Sequence, residues 1–240
     1  MGMPAVSRAI SGVCGEDGFS GRLKNRKSGG DNMEDISREI FSLAEKYANE
    51  FNQKVAERVE EMQFDDLSHH LIYQVLGVDE KEGYLIDLYQ NKGRFLYNYA
   101  GSFLGEAAFL CFKYKYFDAR KIKIPNNQGI RPKTFEIDCL IGDRAYEIKW
   151  RDATTDGDHI TKEHTRVRAI QSQGFMPIRL MFYYPNREQA IRIQRTLETL
   201  YKGVGGEYYF GNEAWNHLLI KTDVDLRKIL MGIVSKRWES

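Results

Sequence analysis

The segment Phe135–Arg151, FEIDCLIGDRAYEIKWR, constrains this chain more than any other. Gly142-Asp143 divides it into two runs that alternate apolar and polar side chains, the pattern of two strands joined by a two-residue turn with glycine first. In such a hairpin, residues whose numbers sum to 285 face each other, so Asp138 lies opposite Glu147 and Glu136 opposite Lys149. Alternation puts Phe135, Ile137, Cys139, Ile141, Tyr146, Ile148 and Trp150 on one apolar face and Glu136, Asp138, Glu147 and Lys149 on the other.

Directly paired strand residues hold their Cβ atoms about 4.5–5.5 Å apart, close enough for the Asp138 and Glu147 carboxylates to converge on one ion. Without an ion they repel and one tends to take up a proton, a penalty that a divalent cation removes. Two carboxylates completed by waters suit Mg²⁺, a hard cation that keeps much of its hydration. The plain alternative is a solvated strand face with a Glu136–Lys149 cross-strand pair.

Around the hairpin the pattern changes once. From Glu34 to Met62, apolar residues recur every three or four positions, predicting one long amphipathic helix whose other face is acidic. Ser68 is a candidate N-cap for a short helix ending near Gly77, and helices are expected near 80–98 and 101–115. After Phe117 the runs become short and β-like, at Arg120–Ile124, Thr134–Ile141 and Ala145–Arg151. A helix near 159–173 and a strand Pro177–Tyr183 complete a strand-helix-strand unit that calls for a parallel crossover. Helices near 186–201 and 223–237 flank an aromatic, Gly-rich stretch, Gly205–Trp215. Residues 1–30, with seven glycines, read as a mobile arm. Residues 31–98 form a helical region and 99–240 a core with C-terminal helices, together one compact unit.

At 42% hydrophobic and 29% charged residues, the 240-residue chain is not of a disordered or fibrous class. It carries no apolar run long enough to span a membrane and no signal-like block, which points to the cytoplasm. Cys14, Cys111 and Cys139 are too few and scattered for a disulfide framework, and burial is expected for two of them. The net charge of +1 is a cancellation, since residues 31–90 carry fifteen acids against five bases and residues 91–240 twenty-five bases against seventeen acids. That asymmetry, strongest over residues 159–195, suits a polyanionic partner, although solvated helix faces would look the same.

Asp138, Glu147 and Lys149 match the Asp…(Asp/Glu)-x-Lys signature of the PD-(D/E)XK nucleases, with Ile137 in place of the proline. The predicted elements from 101 to 183 follow the αβββαβ order of that fold. The longer run EIDCLIGDRAYEIKWRDATTDGDHITKEHTRVRAI, with MPIRLMFYYPNREQAIRIQ and GEYYFGNEAW, resembles the ApaLI-type family of type II restriction endonucleases over residues 90–235. The resemblance implies an α/β fold with a mixed central sheet, and a Mg²⁺-dependent enzyme that cuts both strands of duplex DNA at a short palindrome, of GTGCAC type in the namesake. It also implies a homodimer and, genetically, a cognate methyltransferase.

On that resemblance, Asp138, Glu147 and the carbonyl of Ile148 hold metal and Lys149 positions the attacking water. Glu106, otherwise an exposed helix glutamate, is an auxiliary ligand. Glu136 either holds Lys149 or acts directly. Candidate DNA contacts are Arg151, Thr154, Thr155 and His159 after the catalytic strand, Lys162, Arg166 and Arg168 on the next helix, and Asn186 and Arg187 after the last core strand. His159 and His164 have the wrong spacing for a helical zinc pair, and His69-His70 reads as a surface or core-edge pair. A structure-selective or repair nuclease of the same fold, or a DNA-binding protein with a degenerate site, would share these features.

Overall fold

The computed structural model of the chain describes residues 22–23, 31–129, 131–151 and 158–239, with backbone alone at 31, 32, 158 and 159. The element order is α1 (Asp31–Met62), α2 (His70–Val75), α3 (Glu80–Lys115), β1 (Arg120–Pro125), β2 (Thr134–Ile141), β3 (Arg144–Arg151), α4 (Asp158–Ser172), β4 (Met176–Tyr183), α5 (Glu188–Gly203), β5 (Glu207–Phe210), α6 (Asn212–Thr222) and α7 (Leu226–Trp238). One mixed sheet runs β1-β2-β3-β4-β5, antiparallel through β3 and parallel from β3 to β5. Helix α4 links the parallel pair β3 and β4, as the strand-helix-strand pattern requires.

Helices cover both faces of the sheet. Cys139, Ile141, Tyr146, Ile148, Ile178, Leu180 and Phe182 pack against residues of α3 and α6, and Ile36 and Ile40 of α1 join the same cluster. On the opposite face Phe135, Ile137, Leu140 and Ala145 meet Ala169 and Ile170 of α4. The first turns of α1 are therefore part of the main core. Cys111 and Cys139 are buried and free, while Cys14 lies outside the described residues. Among the described residues, no helix is long and apolar enough to cross a membrane.

Three departures from the sequence pattern have physical causes. The helices expected at 80–98 and 101–115 are one 36-residue helix, α3, capped by the Asp79 side chain on the Glu82 N–H. Gly101 does not break it, because the bare Cα admits the Trp150 ring; a Cβ there would stand 3.0 Å from Trp150 Cδ1. Strand β5 and the start of helix α6 lie in the aromatic, Gly-rich stretch Gly205–Trp215, where the sequence pattern marked no element. Gly206 lets β5 approach β4, since a Cβ would lie 2.4 Å from the Pro177 carbonyl oxygen.

The third departure is a bulge. The pairs Arg120↔Leu140 and Ile122↔Ile137 advance two residues on β1 but three on β2. The extra residue reverses the alternation, so Phe135 and Ile137 face α4 while Cys139 and Ile141 face α3. The single apolar face predicted for all four residues is therefore split between two cores.

Candidate active site

The turn that sets the site has the predicted geometry. Gly142 has φ +55°, and the register runs Ile141↔Arg144, Leu140↔Ala145 and Cys139↔Tyr146, each pair summing to 285. Beyond Cys139 the described ladder stops and the β2 bulge begins. There Asp138 turns its carboxylate onto β3, where Oδ2 accepts the Ile148 N–H at 2.7 Å. A strand residue directs its N–H and C=O toward the same neighbour, so the Ile148 carbonyl faces this gap as well.

Asp138, Ile148 and Lys149 line a cleft of about 340 Å³ with Tyr47 of α1, Gly101, Ser102, Gly105 and Glu106 of α3, and Lys121 of β1. Glu106 thus shares the cleft with the hairpin residues and is ion-paired with Lys121 of β1. Lys149 Nζ stands 2.5 Å from Glu147 Oε1 and 3.9 Å from Asp138 Oδ2, bridging the two acids. The four residues Glu106, Asp138, Ile148 and Lys149, chosen from sequence, share one cleft.

Glu147 is arranged differently from the expectation. It is 2% exposed and does not line the cleft; its Oε2 is ion-paired with Arg166 on the α4 side. Among the described residues, the carboxylates of Glu106, Asp138 and Glu147 do not gather into a three-acid cluster within 4.8 Å. Glu136 is exposed and lies across from Lys123 of β1, and Lys149 is ion-paired with Glu147 and Asp138 instead of with Glu136.

Electrostatics separate the two acids. Burial and the nearby Glu147 charge push the Asp138 carboxyl up to about 6, against the pull of Lys149 and the Ile148 N–H. Burial also opposes the charge of Glu147, but Lys149, Arg166 and Arg179 outweigh it and hold that carboxyl well below its ordinary value. The pair therefore offers one committed carboxylate and one that exchanges its proton near neutrality.

Beneath Glu147 lies a buried ionic lattice. Arg179, 1% exposed, donates to Glu163 Oε2 at 2.9 Å, the Tyr201 hydroxyl donates to the same oxygen at 3.1 Å, and Arg166 Nε is 3.2 Å from Glu163 Oε1. Arg166 also lies over the Phe135 ring, with 5.4 Å to its centroid. Arg166, expected at the helix margin as a DNA contact, is thus turned inward as the partner of two glutamates. Sequence reading assigned no role to Glu163, Tyr201 or Lys121. Arg179 carried a visible signal, a lone charge in the middle of the apolar run Pro177–Tyr183.

The remaining described DNA-contact candidates do not line the cleft. Arg151, Lys162, Arg168, Asn186 and Arg187 are exposed, and the Arg151 guanidinium lies 5.4 Å from the Tyr97 ring centroid. Thr154 and Thr155 lie outside the described residues, and of His159 only the backbone, in α4, is described.

No curated protein and no solved structure matches the chain. The model of one protein family, described as ApaLI-like restriction endonuclease, matches residues 26–235. That match spans the cleft, the hairpin, the ionic lattice and the whole helical front, and on it the chain belongs to the ApaLI-like restriction endonuclease family.

Proposed function

We propose that the chain is a type II restriction endonuclease with a PD-(D/E)XK core, hydrolysing phosphodiester bonds in duplex DNA at a short palindrome with Mg²⁺. The observation that carries this reading is the opened end of the β2–β3 ladder, where Asp138 and the Ile148 carbonyl share a cleft with Lys149 and Glu106. The donor atoms of Asp138, Ile148 and Glu106 are all oxygen, the chemistry that Mg²⁺ selects. Asp138, the Ile148 carbonyl and Glu106 would hold the ion, with Glu147 behind Lys149 as the further carboxylate. When bound, such an ion polarises the phosphoryl group and makes a bound water more acidic.

The protein's own groups perform the remaining steps. Asp138 must be ionised to serve, and its raised carboxyl makes it responsive to an incoming cation. Lys149 is tethered to Glu147, so its ammonium is held at the mouth of the gap, where it orients the attacking water and offsets the charge that builds on the phosphoryl oxygens. Arg166 and the Glu163–Arg179 pair keep Glu147 ionised and fixed from below.

Exposed Arg151, Lys162, Arg168 and Arg187 supply phosphate contacts, while sequence choice comes from base edges. A palindrome read by one protein surface calls for two protomers about a twofold axis, hence a homodimer. A cytoplasmic enzyme of this activity needs a methyltransferase that protects its own DNA. Digestion of a defined phage DNA followed by sequencing of the fragment ends tests the proposal. Discrete fragments sharing one palindromic end are expected, and random nicking or cutting only at junctions would reject it.

A further inference from the structure

A second group of ligating side chains lies in the helical front, far from the cleft. His69 and His70 stand at the start of α2 and Asp87 lies on α3, with His69 Nε2 3.0 Å and His70 Nε2 2.9 Å from the same oxygen, Asp87 Oδ2. All three ligand atoms fall within 4.8 Å of one another, the sole such grouping of His, Cys, Asp and Glu among the described residues. Asp87 is nineteen residues before Glu106 on α3, about 28 Å at a helical rise of 1.5 Å per residue.

The contacts around His69 decide what its ring can do. Its Nδ1 is 3.2 Å from the Asp66 carbonyl oxygen, which can only accept, so Nδ1 carries the hydrogen. Nε2 then faces the Asp87 carboxylate, a contact that is satisfied by a proton or by a metal ion between the two atoms. A backbone carbonyl on the far nitrogen is also the usual partner of a metal-bound imidazole.

His70 adds a second imidazole. It is 3% exposed, its Nδ1 has no hydrogen-bond partner, and its ring packs against Tyr73 of α2 and Gly83 of α3, where a Cβ would stand 3.4 Å from it. Its polar contact is therefore at Nε2, aimed at Asp87. The Tyr73 hydroxyl holds the other carboxylate oxygen at 3.0 Å and leaves Oδ2 to the histidines. The separations of 2.9 and 3.0 Å are hydrogen-bond distances, and a tetrahedral ion with ligands about 2.0–2.1 Å away needs them to open to about 3.3–3.4 Å.

The geometry points to a transition-metal site formed by His69, His70 and Asp87, distinct from the cleft of Asp138. Two imidazoles and one carboxylate suit Zn²⁺ and are too nitrogen-rich for Mg²⁺. Three protein ligands leave a fourth position for water, on the side where His69 is exposed. The ion ties α2 to α3 and fixes the exposed Leu71, Ile72 and Val75 of α2 in one orientation. This inference does not rest on the nuclease reading, and its test needs no DNA.

The full chain, stripped with chelator, is titrated with Zn²⁺ against a chromophoric chelator, and its melting temperature is recorded with and without the ion. Wild type and Asp138→Asn are expected to take one Zn²⁺ each, unaffected by excess Mg²⁺, with a higher melting temperature. His69→Gln, at a half-exposed position that leaves the fold intact, and Asp87→Asn are expected to bind at least 100-fold more weakly and to lose the thermal shift. Four-coordinate visible bands with Co²⁺ should appear in wild type and vanish in His69→Gln. Equal Zn²⁺ affinity in wild type and His69→Gln, or loss of the ion in Asp138→Asn, overturns the site.

Discussion

The Ile148 backbone N–H donates to the Asp138 carboxylate at 2.7 Å, so a side chain of β2 stands just past the last β2–β3 pair. A β-bulge makes this possible, and it converts a plain hairpin into a strand fork with a carboxylate at its opening.

The raised Asp138 carboxyl makes the metal-free protein pH-sensitive in a defined direction. With a folded value of about 6 against an ordinary 3.8, the folded state binds more protons than the unfolded one between those values. Stability from this group is therefore lost as pH rises through that window. Asp138→Asn removes the burden and is expected to stabilise the chelator-treated protein at pH 8, by on the order of 1–2 kcal/mol given partial solvent access, with a smaller gain at pH 5. Urea denaturation of both proteins at the two pH values measures it, and an unchanged or lower midpoint at pH 8 would contradict it.

Metal binding should show the complementary trend. An ion at Asp138 must displace the proton, so Mg²⁺ affinity is expected to fall about tenfold per pH unit below pH 6 and to level off above it. Calorimetric titration with Mg²⁺ across this range reads the effect, and a flat profile would place the ion elsewhere.

Arg166 joins the cleft to the lattice beneath it. Arg166→Met leaves Glu147 and Glu163 each short of a buried cationic partner, a loss expected to cost about 3–5 kcal/mol in folding stability. The Glu147 carboxyl should then rise toward its ordinary value. Chemical denaturation gives the first quantity, and carbon NMR of labelled glutamates the second. A neutral substitution would mean that Arg166 serves at the surface.

Much of this architecture was legible in the sequence, because turn chemistry and alternation are local. Gly142 marked the hairpin and its register, and Asp138, Ile148 and Lys149 followed from it. What stayed hidden depends on tertiary contacts. The bulge at Asp138–Cys139 leaves no mark in the alternating pattern yet reverses which core Phe135 and Ile137 enter. Gly101 resembles a helix break until Trp150 is placed against it. The inward turn of Arg166 depends on Glu163 and Arg179, and a helical wheel cannot distinguish a surface arginine from one drawn into a buried lattice.

Gly206 tests the contact that adds β5 to the sheet. Gly206→Ala would set a methyl 2.4 Å from the Pro177 carbonyl oxygen, a backbone atom with little freedom to move. A loss of about 1–3 kcal/mol is expected, with increased hydrogen exchange in β5. Wild-type exchange there would show that β5 docks by another route.

The central claim is that Asp138, Glu147 and Lys149 cut DNA, and plasmid cleavage in Mg²⁺ by folded Asp138→Ala, Glu147→Ala and Lys149→Ala variants tests it most directly. Each is expected to retain the wild-type circular dichroism spectrum and to lose cleavage by a factor of about 10³ or more, while wild type yields discrete fragments. Undiminished cutting by the Asp138→Ala or Glu147→Ala protein would contradict it.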